Sequence, residues 1–408
     1  MKRNLFTLIL PGLLVAATGV GAGDLATASF TGSELGVAVL WAVVVGGVFK
    51  YVLTEGIARW QLVNGNSLLE GLVQKLGKVF VWIFLAYLVL WSFFVGSALM
   101  SASGAALHAL FPVFEPSTGK IVFGLASSMC GLALARLGKF TLFAKTMGVC
   151  VGLMFAVVLF TAYSLWPGHA QVLSGLFVPS IPDFSGKGLT WTVALIGGVG
   201  GTLTIFCYGY WIQEQNRTSA NDILLCKIDL AVGYGMTILF GLAMVIIGST
   251  IVVEGKGAGL LIKLAASLET AIGPVGKWLF LVGAFSAIFS SLLGVWQAVP
   301  YMFADISRHI VQPKFNTGVV RLNQTQSYKI YQILLAVVPI LGLLLSFKEI
   351  QKLYSVVGTL FMPFLAVALL YLNNQGKMGK HKNSVLINGV LLATLVFFSY
   401  VAWQKFVA

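Results

Sequence analysis

Stretches of about twenty apolar residues recur along almost the whole chain, and this repetition limits the folds open to it. A helix of that length crosses the hydrocarbon layer of a bilayer. Only 10% of the 408 residues are charged, whereas a soluble domain has about 25%. Most of the chain therefore has no water to face. We predict a polytopic all-α membrane protein with a single transmembrane domain, residues 1–408.

The apolar runs predict eleven membrane spans. The third run is long enough for its helix to tilt strongly or to project beyond the bilayer. The spans are predicted near residues 8–29, 36–58, 79–107, 121–137, 144–166, 190–212, 227–254, 276–303, 330–347, 351–372 and 384–404.

Basic residues are distributed unequally between the two sides of the predicted membrane. With the N-terminus inside, seventeen of the 26 lysines and arginines fall on the inner side, eight on the outer side and Lys50 within a span. Cytoplasmic loops carry such an excess. We predict a cytoplasmic N-terminus and an outer C-terminus. The compact chain, without a recognisable targeting sequence, favours a bacterial inner membrane.

The net charge of +13 does not predict nucleic acid binding, because the basic residues stand singly between apolar runs. A membrane-embedded enzyme would need paired polar groups at depth, and the sequence does not place them there. Neither an enzyme nor a resident cofactor is therefore expected. The expected partners are the lipid bilayer and a transported ion or small solute, and the oligomeric state is left open.

Glycines interrupt the first predicted span close to an acidic residue. Gly19, Gly21 and Gly23 alternate, and Asp24 follows directly at membrane depth. Glycine weakens a helix, and an ionisable residue at this depth is a functional candidate by default. We predict that the backbone unwinds near Gly21–Asp24. Close helix packing is the alternative explanation for the glycines.

The sixth predicted span has the same character. Four of the five residues 197–201 are glycine, and Thr202, Thr204, Cys207 and Tyr208 follow. Secondary transporters often bind their substrate where such broken helices meet at the membrane midplane. We predict a second interruption near Ile205–Gly209 and a substrate site between spans one and six.

Spans one and six are five helices apart, which is the spacing of a five-plus-five inverted repeat. The spacing therefore predicts such a repeat followed by an extra eleventh transmembrane helix. Repeat one covers about residues 8–166, repeat two about 190–372, and the extra helix about 384–404.

Few other charges lie at depth. Lys50 sits among valines and glycines, where three roles remain open. In the first role, Lys50 forms an ion pair with Asp24. In the second, it is a fixed cation that replaces a coupling ion. In the third, its side chain extends along the helix so that the ammonium group reaches the cytosolic interface. Glu55 precedes Arg59 by four residues, so an ion pair on one helix face is expected.

Three further acids lie near inner span ends. Asp229 and Asp305 are predicted to be interfacial, and Glu214 closes span six as a candidate for an inner gate.

Several short sequence segments, taken in order along the chain, resemble the Nramp family of divalent-metal transporters within the LeuT-like superfamily. The resemblance covers almost the whole chain and includes the number and order of the spans. The segments are Pro11–Ala16, Leu40–Trp41, Ala58–Arg59, Ala105–His108, Ser290–Gly294 and Met362–Phe364.

The chain departs from the family pattern at the residues that bind metal and relay protons in the family. The metal motif Asp-Pro-Gly-Asn of the first span is matched here by Gly21–Asp24, and the Met-Pro-His of the sixth by Ile205–Cys207. The tenth-span glutamine is matched by Val356. The acidic proton-relay positions of the third span fall among the uncharged residues Ser97–Ser101.

The resemblance implies the LeuT-like fold class and alternating access, and the altered motifs imply a harder site. As ligands of a divalent cation we predict the Asp24 carboxylate, the Gly21 backbone carbonyl and the hydroxyls of Thr202 and Thr204. Oxygen ligands favour Mg²⁺ or Mn²⁺ over softer ions. Without an acidic relay, uniport is expected.

Two alternatives stay open. The first is a transporter of a small organic solute, such as an amino or carboxylic acid. The substrate carboxylate would lie at half-helix N-termini, with Lys50 as a fixed cation. The second is a membrane sensor or assembly partner that transports nothing.

Overall fold

The computed structural model describes residues 5–137, 140–184, 187–250, 273–311 and 321–407, with six positions between 262 and 270. Within these ranges the chain is helical and contains no β-strand. The longer helices are α1 (Leu5–Gly19), α2 (Ala22–Leu35), α3 (Leu40–Asn64), α4 (Leu68–Leu110), α5 (Pro116–Leu137), α6 (Phe140–Ser164), α7 (His169–Phe177), α8 (Lys187–Gly198), α9 (Cys207–Glu214), α10 (Ile223–Ser249), α11 (Pro274–Val311), α12 (Gln326–Val337), α13 (Phe347–Leu372) and α14 (Val385–Val407).

These helices account for all eleven predicted spans. In the described ranges, ten helical stretches are long and apolar enough to cross a membrane, and the shorter helix Ile9–Gly19 precedes them. The first of the ten, Leu25–Asn64, joins most of α2 to α3 through a 3₁₀ turn, so it belongs to spans one and two. Span one is α1 with α2, and span six is α8 with α9.

Span one is broken where the sequence predicts it. The helix ends at Gly19 and resumes at Ala22, so the break lies at the N-terminal edge of the predicted stretch Gly21–Asp24. Two serines of α11 satisfy the carbonyls freed there. The Ser290 hydroxyl donates to the Ala17 carbonyl at 3.0 Å, and the Ser291 hydroxyl lies 2.9 Å from Thr18 O and 3.0 Å from Val20 O.

The break in span six lies earlier than predicted. Helix α8 ends at Gly198, and the chain then turns through Gly200 and Gly201, whose φ angles are +81° and +77°. A 3₁₀ turn follows at Leu203–Phe206, and α9 begins at Cys207. Most of the predicted interruption Ile205–Gly209 is therefore helical. Glycine enters the left-handed region without a steric penalty, so the consecutive glycines fix the break.

The two breaks cross in direct backbone contact. A Cβ added at Gly19 would lie 2.9 Å from the Gly200 carbonyl carbon, and one added at Gly201 would lie 3.2 Å from the Gly19 Cα. No side chain fits between the two backbones. The glycines of the two spans therefore determine how closely spans one and six approach each other.

Replacing Gly201 should damage this crossing. Gly201→Ala places a side chain in the left-handed region, at a cost of roughly 1–2 kcal/mol, and its Cβ would lie 2.5 Å from the Thr204 hydroxyl oxygen. We expect a lower melting temperature in detergent. Gly235→Ala is the matched control, because nothing lies within 4 Å of its Cβ position in α10. Equal melting temperatures for the two variants would contradict the assigned strain.

Candidate transport site

A small cavity lies between the two broken spans. Its volume is about 20 Å³, enough for a water molecule. Spans one, three, six, eight and ten each contribute to its wall. The lining residues are Thr18, Gly19, Gly21, Val95, Ala98, Leu99, Thr204, Ser291, Val295, Gln351 and Tyr354.

The polar groups of this wall are neutral. Thr18 contributes a buried hydroxyl for which the described residues provide no hydrogen-bond partner. Thr204 and Ser291 add hydroxyls. The side-chain nitrogen of Gln351 donates to the Ala98 carbonyl at 3.3 Å, which leaves the amide oxygen of Gln351 as an acceptor. The wall therefore offers oxygen ligands without sulfur.

Lys50 belongs to α3, and its side chain reaches the break in span six. Its side chain is fully buried, so the snorkelling alternative is wrong. The ammonium group donates a hydrogen bond to the Gly201 carbonyl and lies 5.7 Å from the centre of the Phe398 ring. A positive charge thus lies on a carbonyl next to the cavity. The ion pair with Asp24 and the fixed cation both stay predictions.

The structure brings together only part of the predicted site. Gly21 and Thr204 line the cavity. The Thr202 hydroxyl instead accepts a hydrogen bond from the indole nitrogen of Trp91 at 3.2 Å. Cys207 is buried but does not line the cavity. Its position follows from the 3₁₀ turn, which presents Thr204 rather than residues of α9 to the cavity.

Gly23 and Asp24 belong to the first turn of α2, but the burial of both residues and the side chain of Asp24 lie outside the described part of the structure. The predicted backbone ligand Gly21 is described. Its carbonyl accepts the N–H of Leu25 at 3.0 Å, which is a hydrogen bond of the α2 helix. The carbonyls freed at the break are those of Ala17, Thr18 and Val20.

Four polar residues of the cavity were missed by sequence reasoning: Thr18, Ser291, Gln351 and Tyr354. Ser291 carried the clearest signal, since it forms a serine pair with Ser290 inside an apolar span. Gln351 lies in the first turns of α13, five residues before Val356, the position matched to the family glutamine. Only the packing of α13 against α4 brings Gln351 to the cavity.

Tyr208 joins a buried polar cluster instead of the cavity. Its hydroxyl donates to one carboxylate oxygen of Asp229 at 2.9 Å, and Arg217 pairs with the same oxygen at 2.8 Å. The other oxygen accepts the backbone N–H of Gly12 at 2.7 Å. Asp229 has no exposed surface, and its predicted position near the membrane interface stays a prediction. The carboxylate joins α10 to α1 and α9.

Asp305, likewise predicted to be interfacial, is also buried among protein side chains. It accepts hydrogen bonds from Ser67 at 2.6 Å and Tyr210 at 3.0 Å, and Arg308 lies 3.1 Å away. The expected pair of Glu55 and Arg59 is confirmed at 3.0 Å. In the described residues, no cluster of three His, Cys, Asp or Glu side chains is arranged to hold a metal ion.

The sequence model of the family described as "Natural resistance-associated macrophage protein-like" matches residues 12–408. The chain belongs to the Nramp family. Among curated Nramp proteins, the divalent metal cation transporter MntH of Mycobacterium leprae is 22% identical over 95% of this chain and 89% of its own length.

Solved structures show the same fold. A histidine-to-alanine mutant of the Eremococcus coleocola manganese transporter superposes with a TM-score of 0.77 at 15% identity, covering 99% of this chain and 88% of its own. MhsT in complex with L-phenylalanine superposes with a TM-score of 0.61 at 15% identity, covering 99% and 98%. This Nramp protein is thus a polytopic helical membrane protein with the LeuT-like fold.

The Asp229 cluster predicts a coupling between two charges. Asp229→Asn keeps the shape of the side chain but removes the negative charge that pairs with the buried Arg217, which should cost about 3–5 kcal/mol of stability. Adding Arg217→Met should restore most of the loss. Thermal unfolding of the single and double variants measures the coupling, with the exposed Glu34→Gln as the neutral control. Additive losses in the double variant would rule out the proposed pairing.

Proposed function

We propose that this Nramp protein transports a hard divalent cation, Mg²⁺ or Mn²⁺, by alternating access through the cavity between its broken spans. The observation that carries the proposal is the lining of that cavity, which combines hydroxyl and amide oxygens from spans one, six, eight and ten. Membership of the Nramp family supports a divalent metal as the substrate class.

The choice of a hard ion follows from the donor atoms. Mg²⁺ and Mn²⁺ prefer oxygen ligands, whereas Cd²⁺ and other soft ions favour sulfur. Neutral oxygens bind a divalent ion less strongly than carboxylates, which suits a cation that keeps several of its water molecules. Asp24 is proposed as the carboxylate ligand of the site.

Transport without proton coupling is the second part of the proposal. In the described lining, the third span contributes only Val95, Ala98 and Leu99, none of which exchanges a proton. We therefore propose a uniporter of the bacterial inner membrane, with the N-terminus in the cytoplasm and the C-terminus outside. The excess of basic residues on the predicted inner side supports this orientation.

A thioether at the cavity should change ion preference. Thr204→Met places sulfur in the cavity wall and should shift uptake in proteoliposomes towards Cd²⁺ relative to Mg²⁺. Ile205→Met is the matched control, because Ile205 is buried next to Thr204 but does not line the cavity. A shift in the Ile205 variant alone would place the site one residue further along span six.

A small organic acid is the second candidate substrate, and the position of Lys50 favours it. The ammonium group next to the cavity would repel a divalent cation and attract a carboxylate. The same charge would serve as an internal substitute for a coupling cation. The fold is also that of MhsT, whose structure holds L-phenylalanine.

Two substitutions separate these candidates. If the substrate is a cation, Asp24→Asn should abolish Mn²⁺ uptake, and Lys50→Met should preserve or raise it by removing a positive charge. If the substrate is an organic acid, Lys50→Met should stop transport or make it depend on added Na⁺ or H⁺. Uptake of ⁵⁴Mn²⁺ and of labelled amino acids by proteoliposomes, with thermal stability in parallel, measures both. Full Mn²⁺ uptake by the Asp24→Asn variant would refute the proposed carboxylate ligand.

A further inference from the structure

A second, larger cavity lies towards the predicted cytoplasmic side. We call it the inner vestibule; its volume is about 300 Å³. It is bounded by α5, α6, α9, α11 and the segment leading into α12. The residues that matter for its chemistry are Arg136, Glu214, Gln297, Tyr301, Asn323 and Lys329.

The vestibule lies on the same path as the transport cavity. Helix α11 contributes Ser291 to the cavity and Tyr301 to the vestibule, and span six contributes Thr204 to the one and Glu214 to the other. Ten residues of helix separate the members of each pair, a distance of roughly 15 Å. Two helices therefore run side by side from the cavity to the vestibule.

Aromatic and amide groups lie between the two cavities. The Trp211 indole donates to the side-chain oxygen of Gln297 at 2.8 Å. The rings of Tyr210 and Tyr301 stack with centroids 5.4 Å apart. These contacts join α9 to α11 just inside the vestibule, so a solute must pass this layer to travel between the cavities.

Glu214 contributes a carboxylate to the vestibule, and neutral groups hold this carboxylate in place. One of its oxygens accepts hydrogen bonds from the Tyr301 hydroxyl at 2.5 Å and the Asn323 side-chain nitrogen at 3.1 Å. Within the described residues, no ion pair shorter than 4.0 Å includes Glu214. The side-chain oxygen of Asn323 is buried without a hydrogen-bond partner there. The hydrogen-bond partners of the Glu214 carboxylate in the described residues are thus neutral groups.

The cations of the vestibule lie at its rim. Arg136 and Lys329 are exposed, as expected for basic residues at a cytoplasmic interface. Water screens their charges more than it screens the half-buried Glu214. They weaken cation binding without preventing it, which is what a release site requires.

We propose that Glu214, held in place by Tyr301 and Asn323, forms a second, low-affinity binding station for a hydrated divalent cation at the inner mouth of the pathway. The inference extends the proposed cation transport, but the station is defined by residues outside the transport cavity. The vestibule is wide enough for the ion to keep its inner water shell. Glu214 then binds the shell through charge-assisted hydrogen bonds.

Titration of the detergent-solubilised protein with Mn²⁺, followed by electron paramagnetic resonance, tests the station. Glu214→Gln keeps an acceptor for Tyr301 and Asn323 but removes the charge, so the fold should persist. We expect the weaker class of Mn²⁺ sites to lose affinity by about ten- to a hundredfold. Arg136→Gln should instead tighten that class. Glu115→Gln, at an exposed loop position outside the vestibule, is the control and should change nothing.

The outcomes separate this inference from the proposed transport function. Thr204→Val should affect only binding in the transport cavity, and Glu214→Gln only binding in the vestibule. If the protein carries an organic acid, Mn²⁺ uptake and the Thr204-dependent sites are absent while the Glu214-dependent class remains. An unchanged weak class in Glu214→Gln, or an equal loss in Glu115→Gln, would overturn the station.

Discussion

The crossing of two interrupted helices in a lipid environment is the constraint on which the rest of this structure depends. A broken helix frees carbonyls that water cannot reach inside a bilayer, so protein groups must satisfy them. Ser290 and Ser291 of span eight do so for span one, and Lys50 of span two does so for span six. Spans two and eight are therefore held at the breaks by hydrogen bonds as well as by apolar packing.

The chemistry of the pathway is distributed unevenly along it. Neutral hydroxyls and an amide surround the central cavity, whereas the buried carboxylates Asp229 and Asp305 lie towards the side predicted to be cytoplasmic. These two carboxylates accept hydrogen bonds from Tyr208 and Tyr210, which lie two residues apart on α9. Helix α9 of span six consequently forms hydrogen bonds to span seven on one of its faces and to span eight on another.

Family membership informs the fold of this protein, whereas the choice of substrate has to be argued from the chemistry of the site. The fold is preserved at 15% identity, because apolar patterning and close glycine contacts tolerate many sequences. In the proposed function, selectivity depends on a few side chains at the breaks, where the sequence resemblance indicates departures from the Nramp pattern. The substrate must therefore be argued from Thr204, Gln351 and Lys50 rather than from the fold.

The sequence by itself determined the eleven spans and the broken spans one and six, because hydropathy and glycine content act locally along the chain. The LeuT-like class followed from the resemblance of short segments to a known family. The pair Glu55–Arg59 was equally local, four residues apart on one helix. Only the tertiary structure decided that Thr204 faces the cavity while Thr202 bonds to Trp91, since a helix or 3₁₀ turn rotates by about 100° or more per residue. It likewise brought Gln351 to the site, because the packing of distant helices is not encoded in any local pattern.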